Sequence, residues 1–213
     1  MGEIKTIIIK GKVLKKNLIG KAIHILKKGG LIIYPTETCY GIGCDALNED
    51  AIEKVYRVKK RRKRKPLPII VSSLEMMKKY GKITKEVEYL VKKFMPGPLT
   101  IVVEKKKTIP DILNPKEIAF RISSHPIAQQ LVEKLNKPIT ATSANISGNK
   151  PIYSGEEIVK IFNGKVDMII DSGNLPLIQP STIIRVKKSK IELIREGAIP
   201  FNIVLREFKK IIE

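Results

Sequence analysis
Apolar and polar residues alternate in helical and extended runs along the whole 213-residue chain. Leu18, Ile19, Ala22, Ile23, Ile25 and Leu26 share one helical face, and Gly29-Gly30 ends that helix. Residues 31–34 follow as a short strand closed by Pro35. Asn48 is placed to cap a helix whose inner face is Ala51, Ile52, Val55 and Tyr56. Residues 67–71 read as a buried strand. Ser73 caps a helix through Met76 and Met77, which read as core filler, and Thr84 caps another ending near Phe94. Pro96-Gly97-Pro98 is a rigid turn into a strand over 99–103. Strands over 118–122 and 139–142 flank a helix over 126–136. Ser154 and Glu157 form a capping box, and 166–170 is a strand. Residues 182–186 and 191–195 pair as a hairpin, and a helix from Phe201 closes the chain. Mixed hairpins and crossovers predict one α/β domain over residues 1–213, an open, twisted, mixed β-sheet with flanking helices.

The charge is uneven. The formal net charge is +20, and every residue from 57 to 65 except Val58 is basic. A like-charge run is normally solvated, but this one is held between a helix and a strand, which costs stability. It therefore implies a polyanionic partner: nucleic acid, nucleotide phosphates or an acidic membrane surface. The helix ending near Lys59 and Arg61 offsets a little of the repulsion through its dipole. No apolar run approaches the ~18 residues of a membrane span. Residues 1–6 match a myristoylation pattern by chance, ahead of an apparent strand, and no signal peptide is read.

Cys39 and Cys44 are too few for a disulfide scaffold or a zinc site and read as free thiols of a reducing cytosol. His24 reads as partly buried on its helix, and His125, before Pro126, as a turn or cap residue. Neither supports a Ser-His-Asp hydrolase or a metal site. Gly41-Ile42-Gly43-Cys44-Asp45-Ala46 fits the dinucleotide fingerprint, but no strand directly precedes it and the acidic position falls in the basic run. A Rossmann site is rejected.

Three polar segments follow strands, where α/β folds place ligands: 35–41, the basic run, and 142–148. Small hydroxyl and amide side chains allow close approach to phosphates and carboxylates. These segments, Tyr34-Pro35-Thr36-Glu37-Thr38-Cys39-Tyr40-Gly41, Lys59-Lys60-Arg61 with Lys65-Pro66-Leu67, and Thr142-Ser143-Ala144-Asn145-Ile146-Ser147-Gly148, resemble the YrdC family. So do Pro96-Gly97-Pro98-Leu99-Thr100, Ala119-Phe120-Arg121, His125-Pro126, Pro180-Ser181-Thr182-Ile183 and Ile194-Arg195-Glu196-Gly197-Ala198-Ile199, so the resemblance covers nearly the whole chain.

The resemblance implies a YrdC-like domain with a basic concave cavity and a threonylcarbamoyl-AMP synthase. L-Threonine, bicarbonate and ATP would give threonylcarbamoyl-AMP and pyrophosphate, used by a downstream tRNA threonylcarbamoyl transferase in the cytoplasm. It implies catalytic roles for Lys59, Arg61, Ser143 and Asn145. The ATP contacts would be Lys59, Arg61, Lys65, Ser143, Pro151 and Arg195, with Mg²⁺ held mainly by the phosphates. The threonine contacts would be Thr38, Arg121, the main chain at Ala141, and Ser181. Pro151 lacks the hydroxyl often found at its position. Ile70 stands where some members carry a threonine-contacting His, and the second C-terminal domain of longer members is not expected within residues 1–213.

The chemistry agrees, because joining a carbamate to a polyphosphate is mainly positioning and charge neutralisation. The basic surface also implies contact with tRNA or double-stranded RNA. A non-catalytic RNA-binding or ribosome-maturation protein using the same cavity is the alternative reading. The scarcity of aromatic residues, none within the basic run, weighs against it.

Overall fold
The computed structural model describes residues 4–63 and 65–212. Arg64 of the basic run and residues 1–3 of the myristoylation-like start lie outside the described residues.

The chain opens with β1 (Ile7–Lys10), α1 (Lys16–Lys27), β2 (Ile32–Pro35), β3 (Tyr40–Gly43) and α2 (Glu49–Val58). It continues through β4 (Ile69–Ile70), α3 (Leu74–Tyr80), α4 (Lys85–Phe94), β5 (Leu99–Glu104), β6 (Glu117–Arg121) and α5 (Pro126–Leu135). Then come β7 (Ile139–Thr140), β8 (Thr142–Ser143), α6 (Gly155–Phe162), β9 (Met168–Asp171), β10 (Thr182–Lys187), β11 (Lys190–Arg195) and α7 (Phe201–Ile212).

Local chemistry sets most helix starts. Asn48 accepts from the Ala51 amide at 3.0 Å, Ser73 from Met76 at 3.2 Å, Thr84 from Val87 and Ser154 from Glu157, both at 3.4 Å. His125 caps α5, its Nδ1 accepting from the Ile127 amide. His24, expected to be partly buried, is exposed, because it falls off the face carrying Ala22, Ile23 and Leu26. Lys188 and Ser189, at φ 47° and 54°, make the tight turn of the β10–β11 hairpin.

The strands divide between two mixed sheets, where the sequence pattern had implied one. The first has order β1-β9-β2-β3-β8, the second β11-β10-β5-β6-β4-β7. Three elements depart from the sequence reading, and the first of them marks the division. The expected strand over 139–142 is two: Ile139–Thr140 pairs in the second sheet and Thr142–Ser143 in the first, so the chain changes sheets at Ala141. The expected strand over 67–71 forms a ladder only at Ile69–Ile70, extended by single bonds from Val71 N to Arg121 O and from Ala141 N to Pro68 O.

The third departure is β3, read from the sequence as loop because Gly41 and Gly43 hide its alternation. It pairs antiparallel with β2, and the Tyr34 ring lies across the glycines. A Cβ at Gly43 would stand 2.7 Å from that ring and 2.9 Å from the Thr140 carbonyl, which accepts the Tyr34 hydroxyl at 2.9 Å. These glycines therefore lie inside a strand and serve ring packing, rather than forming a strand-to-helix turn.

One connected apolar core runs from Ile9 to Phe208. Among the described residues no helix is long and apolar enough to cross a membrane. Cys39 and Cys44 are free and buried.

Candidate active site
A cleft of about 450 Å³ lies over one face of the second sheet. The two-residue period of its strands builds the floor. Ile101, Val103, Ile118, Phe120 and Ile184 face the core, while their neighbours Thr100, Val102, Ala119, Arg121 and Ile183 line the cleft. The opposite wall comes from Thr38 and Cys39 at the β2–β3 turn, Ala141 to Ser143 at the sheet crossing, and Arg61, Pro66 and Pro151 from loops.

One end centres on Arg121, at the end of β6 and 8% exposed. Its Nη2 meets Glu37 Oε1 at 2.9 Å and its Nε meets the same oxygen at 3.2 Å. Both Nη groups donate to Thr38 Oγ1 at 3.1 Å. Thr36 braces the turn, its hydroxyl donating to the Cys39 carbonyl and lying 3.1 Å from that of Thr38. Glu37 also accepts from the Ser123 hydroxyl and, at 3.2 Å, from the Ser124 amide just before α5. Burial works against its ionised form, but the Arg121 charge and the Ser123 bond outweigh it and hold the carboxyl below the usual carboxylate range.

Ser181 joins this end, 2.8 Å from the Thr100 hydroxyl. Arg195 grips it, Nη2 donating to its carbonyl at 2.7 Å and its Oγ at 3.2 Å. Gly197 allows the segment after β11 to come close: a Cβ there would fall 2.0 Å from the Pro180 carbonyl. Ala141 spends its amide on Pro68, so its carbonyl is what it can offer a ligand. Burial raises the Cys39 thiol despite the Arg121 charge, which makes it a poor nucleophile at neutral pH.

The other end starts where α2 stops. Lys60 takes φ 50°, its amide bonding to Arg57 O and that of Arg61 to Tyr56 O, a Schellman closure with lysine where glycine is usual. The closure turns Lys59 inward, leaving it 1% exposed. Its ammonium donates to the Ser143 carbonyl, the Asn145 carbonyl at 2.8 Å and Asn145 Oδ1 at 2.9 Å. Three oxygens match its three N–H donors. Burial, and after it the Arg61 charge, pull Lys59 down to about 7. Ser143 Oγ donates to the same Asn145 Oδ1 at 2.7 Å, and Asn145 Nδ2 donates to the Asn149 carbonyl.

Arg61 folds along its own loop, Nη2 donating to Pro66 O at 2.9 Å and Nε to Lys65 O at 3.2 Å. Lys65 is exposed and contributes that carbonyl.

The expected site residues therefore fall into two sets. Thr38, Arg61, Arg121, Ala141, Ser143, Pro151, Ser181 and Arg195 all line the cleft. Lys59, Lys65 and Asn145 do not: Lys59 and Asn145 brace the Ser143 loop from behind, and the Lys65 side chain stands outside. Sequence reasoning missed Glu37, Ser123 and Thr100. Glu37 sits within a quoted motif, but nothing local tells that it pairs with a residue 84 positions away.

A two-sheet α/β frame with a hydroxyl- and arginine-walled cleft is the architecture of a small-molecule-binding enzyme of YrdC-like fold. The chain belongs to the Sua5/YciO/YrdC family, whose model, described as "Telomere recombination", matches residues 24–197. The putative threonylcarbamoyl-AMP synthase of Methanocaldococcus jannaschii is 41% identical over 207 residues, covering 95% of this chain and 99% of the relative. The threonylcarbamoyl-AMP synthase of Pyrococcus abyssi is 37% identical over 194 residues, covering 90% of this chain and 56% of that protein. The crystal structure of P. abyssi Sua5 complexed with L-threonine superposes with a TM-score of 0.90 at 35% identity, covering 95% of this chain and 61% of that one. The chain thus spans less than two thirds of the Pyrococcus protein and nearly all of the Methanocaldococcus one.

Proposed function
We propose that this chain is a threonylcarbamoyl-AMP synthase, joining L-threonine, bicarbonate and ATP into threonylcarbamoyl-AMP and releasing pyrophosphate. The observation that carries this reading is the convergence of Thr38, Arg121 and Ser181 with Arg61, Ser143 and Arg195 on one cleft. The similarity to proteins bearing that name supports it. The Arg121 fork grips the threonine carboxylate, and Thr38, Ser181 and the Ala141 carbonyl meet its amine and hydroxyl. Threonine's amine and bicarbonate give a carbamate with loss of water, and a carbamate oxygen then attacks the α-phosphate and expels pyrophosphate. The nucleophile is already anionic, so the protein's task is alignment and charge neutralisation. Arg61 and Arg195 turn from their carbonyl partners to the phosphates, with Lys65 swinging in from outside. Ser143 and Pro151 contact the nucleotide. Lys59 and Asn145 hold the Ser143 loop in register. Mg²⁺ arrives with ATP on the phosphate oxygens.

The product is passed to a tRNA threonylcarbamoyl transferase in the cytoplasm. The exposed side chains of the basic run meet tRNA or double-stranded RNA non-specifically, so this contact weakens steeply with salt.

The test is pyrophosphate release from purified protein with ATP, Mg²⁺, bicarbonate and labelled threonine. Release that needs threonine and bicarbonate together is expected. ATP hydrolysis indifferent to threonine overturns the reading.

A further inference from the structure
We propose that Glu37 is a positioning residue for Arg121: it fixes which edge of the guanidinium faces the cleft and reserves that end for an amino-acid carboxylate against phosphate. The inference rests on the synthase reading above.

The geometry carries two consequences. Glu37 lies behind the cleft wall, and its Oε1 takes the Nε–Nη2 edge of Arg121 at 3.2 and 2.9 Å. It cannot swing away, because the Ser123 hydroxyl and the Ser124 amide hold its two oxygens. The guanidinium is thus clamped in one rotation, with its Nη1–Nη2 edge meeting Thr38. Nε and Nη2 are turned to Glu37 and Nη1 and Nη2 to Thr38, so a carboxylate takes the Nη1–Nη2 pair by displacing the Thr38 hydroxyl and finds it already held in direction.

The second consequence is charge. Arg61 and Arg195, also on the cleft wall, bond to neutral groups, the carbonyls of Lys65 and Pro66 and the carbonyl and hydroxyl of Ser181. They keep their full positive charge for a triphosphate, while Glu37 neutralises Arg121. The paired guanidinium of Arg121 thus differs from its unpaired neighbours, which lets a carboxylate and a phosphate choose different arginines. The buried carboxylate gives Arg121 directional donors without net charge, while Arg195 beside Ser181 and Arg61 at the far end keep theirs without a carboxylate clamp.

The experiment compares Glu37→Gln, Glu37→Asp and Ser123→Ala with the natural protein. It measures KM for threonine and for ATP, kcat, and inhibition by inorganic pyrophosphate. Glu37→Gln keeps the shape but loses the charge and weakens the clamp. Its threonine KM should rise at least about tenfold, the scale of one charge-assisted hydrogen bond. Its kcat and ATP KM should stay within about twofold on the same reasoning. Pyrophosphate should become competitive with threonine. Glu37→Asp should recover part of the threonine affinity, and Ser123→Ala should shift threonine KM the same way by less.

An unchanged threonine KM in Glu37→Gln, or equal rises for threonine and ATP, overturns the inference. If Glu37→Gln does not fold, Ser123→Ala decides: a raised threonine KM at unchanged melting temperature supports it and an unchanged KM overturns it. Natural protein that releases no pyrophosphate with threonine overturns the synthase reading and this inference together. Normal activity with an indifferent Glu37→Gln overturns the inference alone.

Discussion

The two ends of the cleft are built differently. At the Arg121 end Arg121 meets an opposite charge and hydroxyls that come from far along the chain: Glu37 and Thr38 from the β2–β3 turn, with Ser123 from before α5 holding Glu37. At the Arg61 end the cations meet no carboxylate and bond only to neutral oxygens, Arg61 to Lys65 and Pro66 of its own loop and Lys59 to Ser143 and Asn145 across the fold. The first end is pre-assembled around a buried ion pair. The second has rigid bracing beneath and charge that can turn to a ligand above. A run of like charge is therefore not one functional unit: Lys59 is a buried strut, and Arg61 stands on the wall.

The largest effect that would test this contrast is Arg121→Met. The pair is buried, with side chains 9% and 15% exposed, so leaving Glu37 unpaired should cost roughly 3–5 kcal/mol in urea unfolding and abolish threonine use. Adding Glu37→Gln should return part of the stability and none of the activity. If the double variant is no more stable than the single one, the first end is not an electrostatic unit.

Lys59→Met should come next, stranding acceptors that the ammonium now satisfies, for a loss of roughly 1–3 kcal/mol. Activity should fall with it as the Ser143 loop loosens. Arg61→Ala should instead lower pyrophosphate release at least about tenfold, one charge-assisted bond's worth, with little change in thermal midpoint. Equal losses of stability at 59 and 61 would erase the distinction between strut and wall.

The ends should also separate by pH. Lys59 falls from 10.5 to about 7 on folding, so between those values the unfolded chain binds more protons and stability rises with pH. Glu37 is lowered on folding, so its contribution is complete above 4.5 and is lost as pH falls through its folded value. Denaturation series across pH should show the alkaline slope flattened in Lys59→Met alone, and the acid loss reduced in Glu37→Gln alone.

The smallest effect concerns the hinge between strut and wall. Lys60 holds φ 50°, which costs a side-chain-bearing residue about 1–2 kcal/mol. Lys60→Gly should therefore raise the thermal midpoint, by about 2–4 °C per kcal/mol in a chain of this size, and leave turnover unchanged. A fall in midpoint would mean that the Lys60 side chain does more than tolerate its backbone.

How much was legible in advance depended on distance along the chain. Asn48, Ser73, Thr84 and Ser154 bond to amides three residues on, as their patterns implied. The motif residues were visible one by one, and most of them do meet on the cleft. The division of residues 139–143 between two sheets was not visible, because a run of extended residues carries no mark of which neighbour each half will pair with. Nor was β3, whose glycines are explained only by the ring of Tyr34 lying on them.

The sequence by itself determined the helices, their caps, the β10–β11 turn and the set of residues available for chemistry, because those depend on hydrogen bonds and apolar faces within a few positions. Only the tertiary structure decided that Lys59 points inward and Arg61 does not, and that Glu37 and Arg121 close on each other. Those outcomes depend on burial and on partners many positions away. The energy of a charge is set by what surrounds it after packing, and adjacent residues can be turned into quite different surroundings.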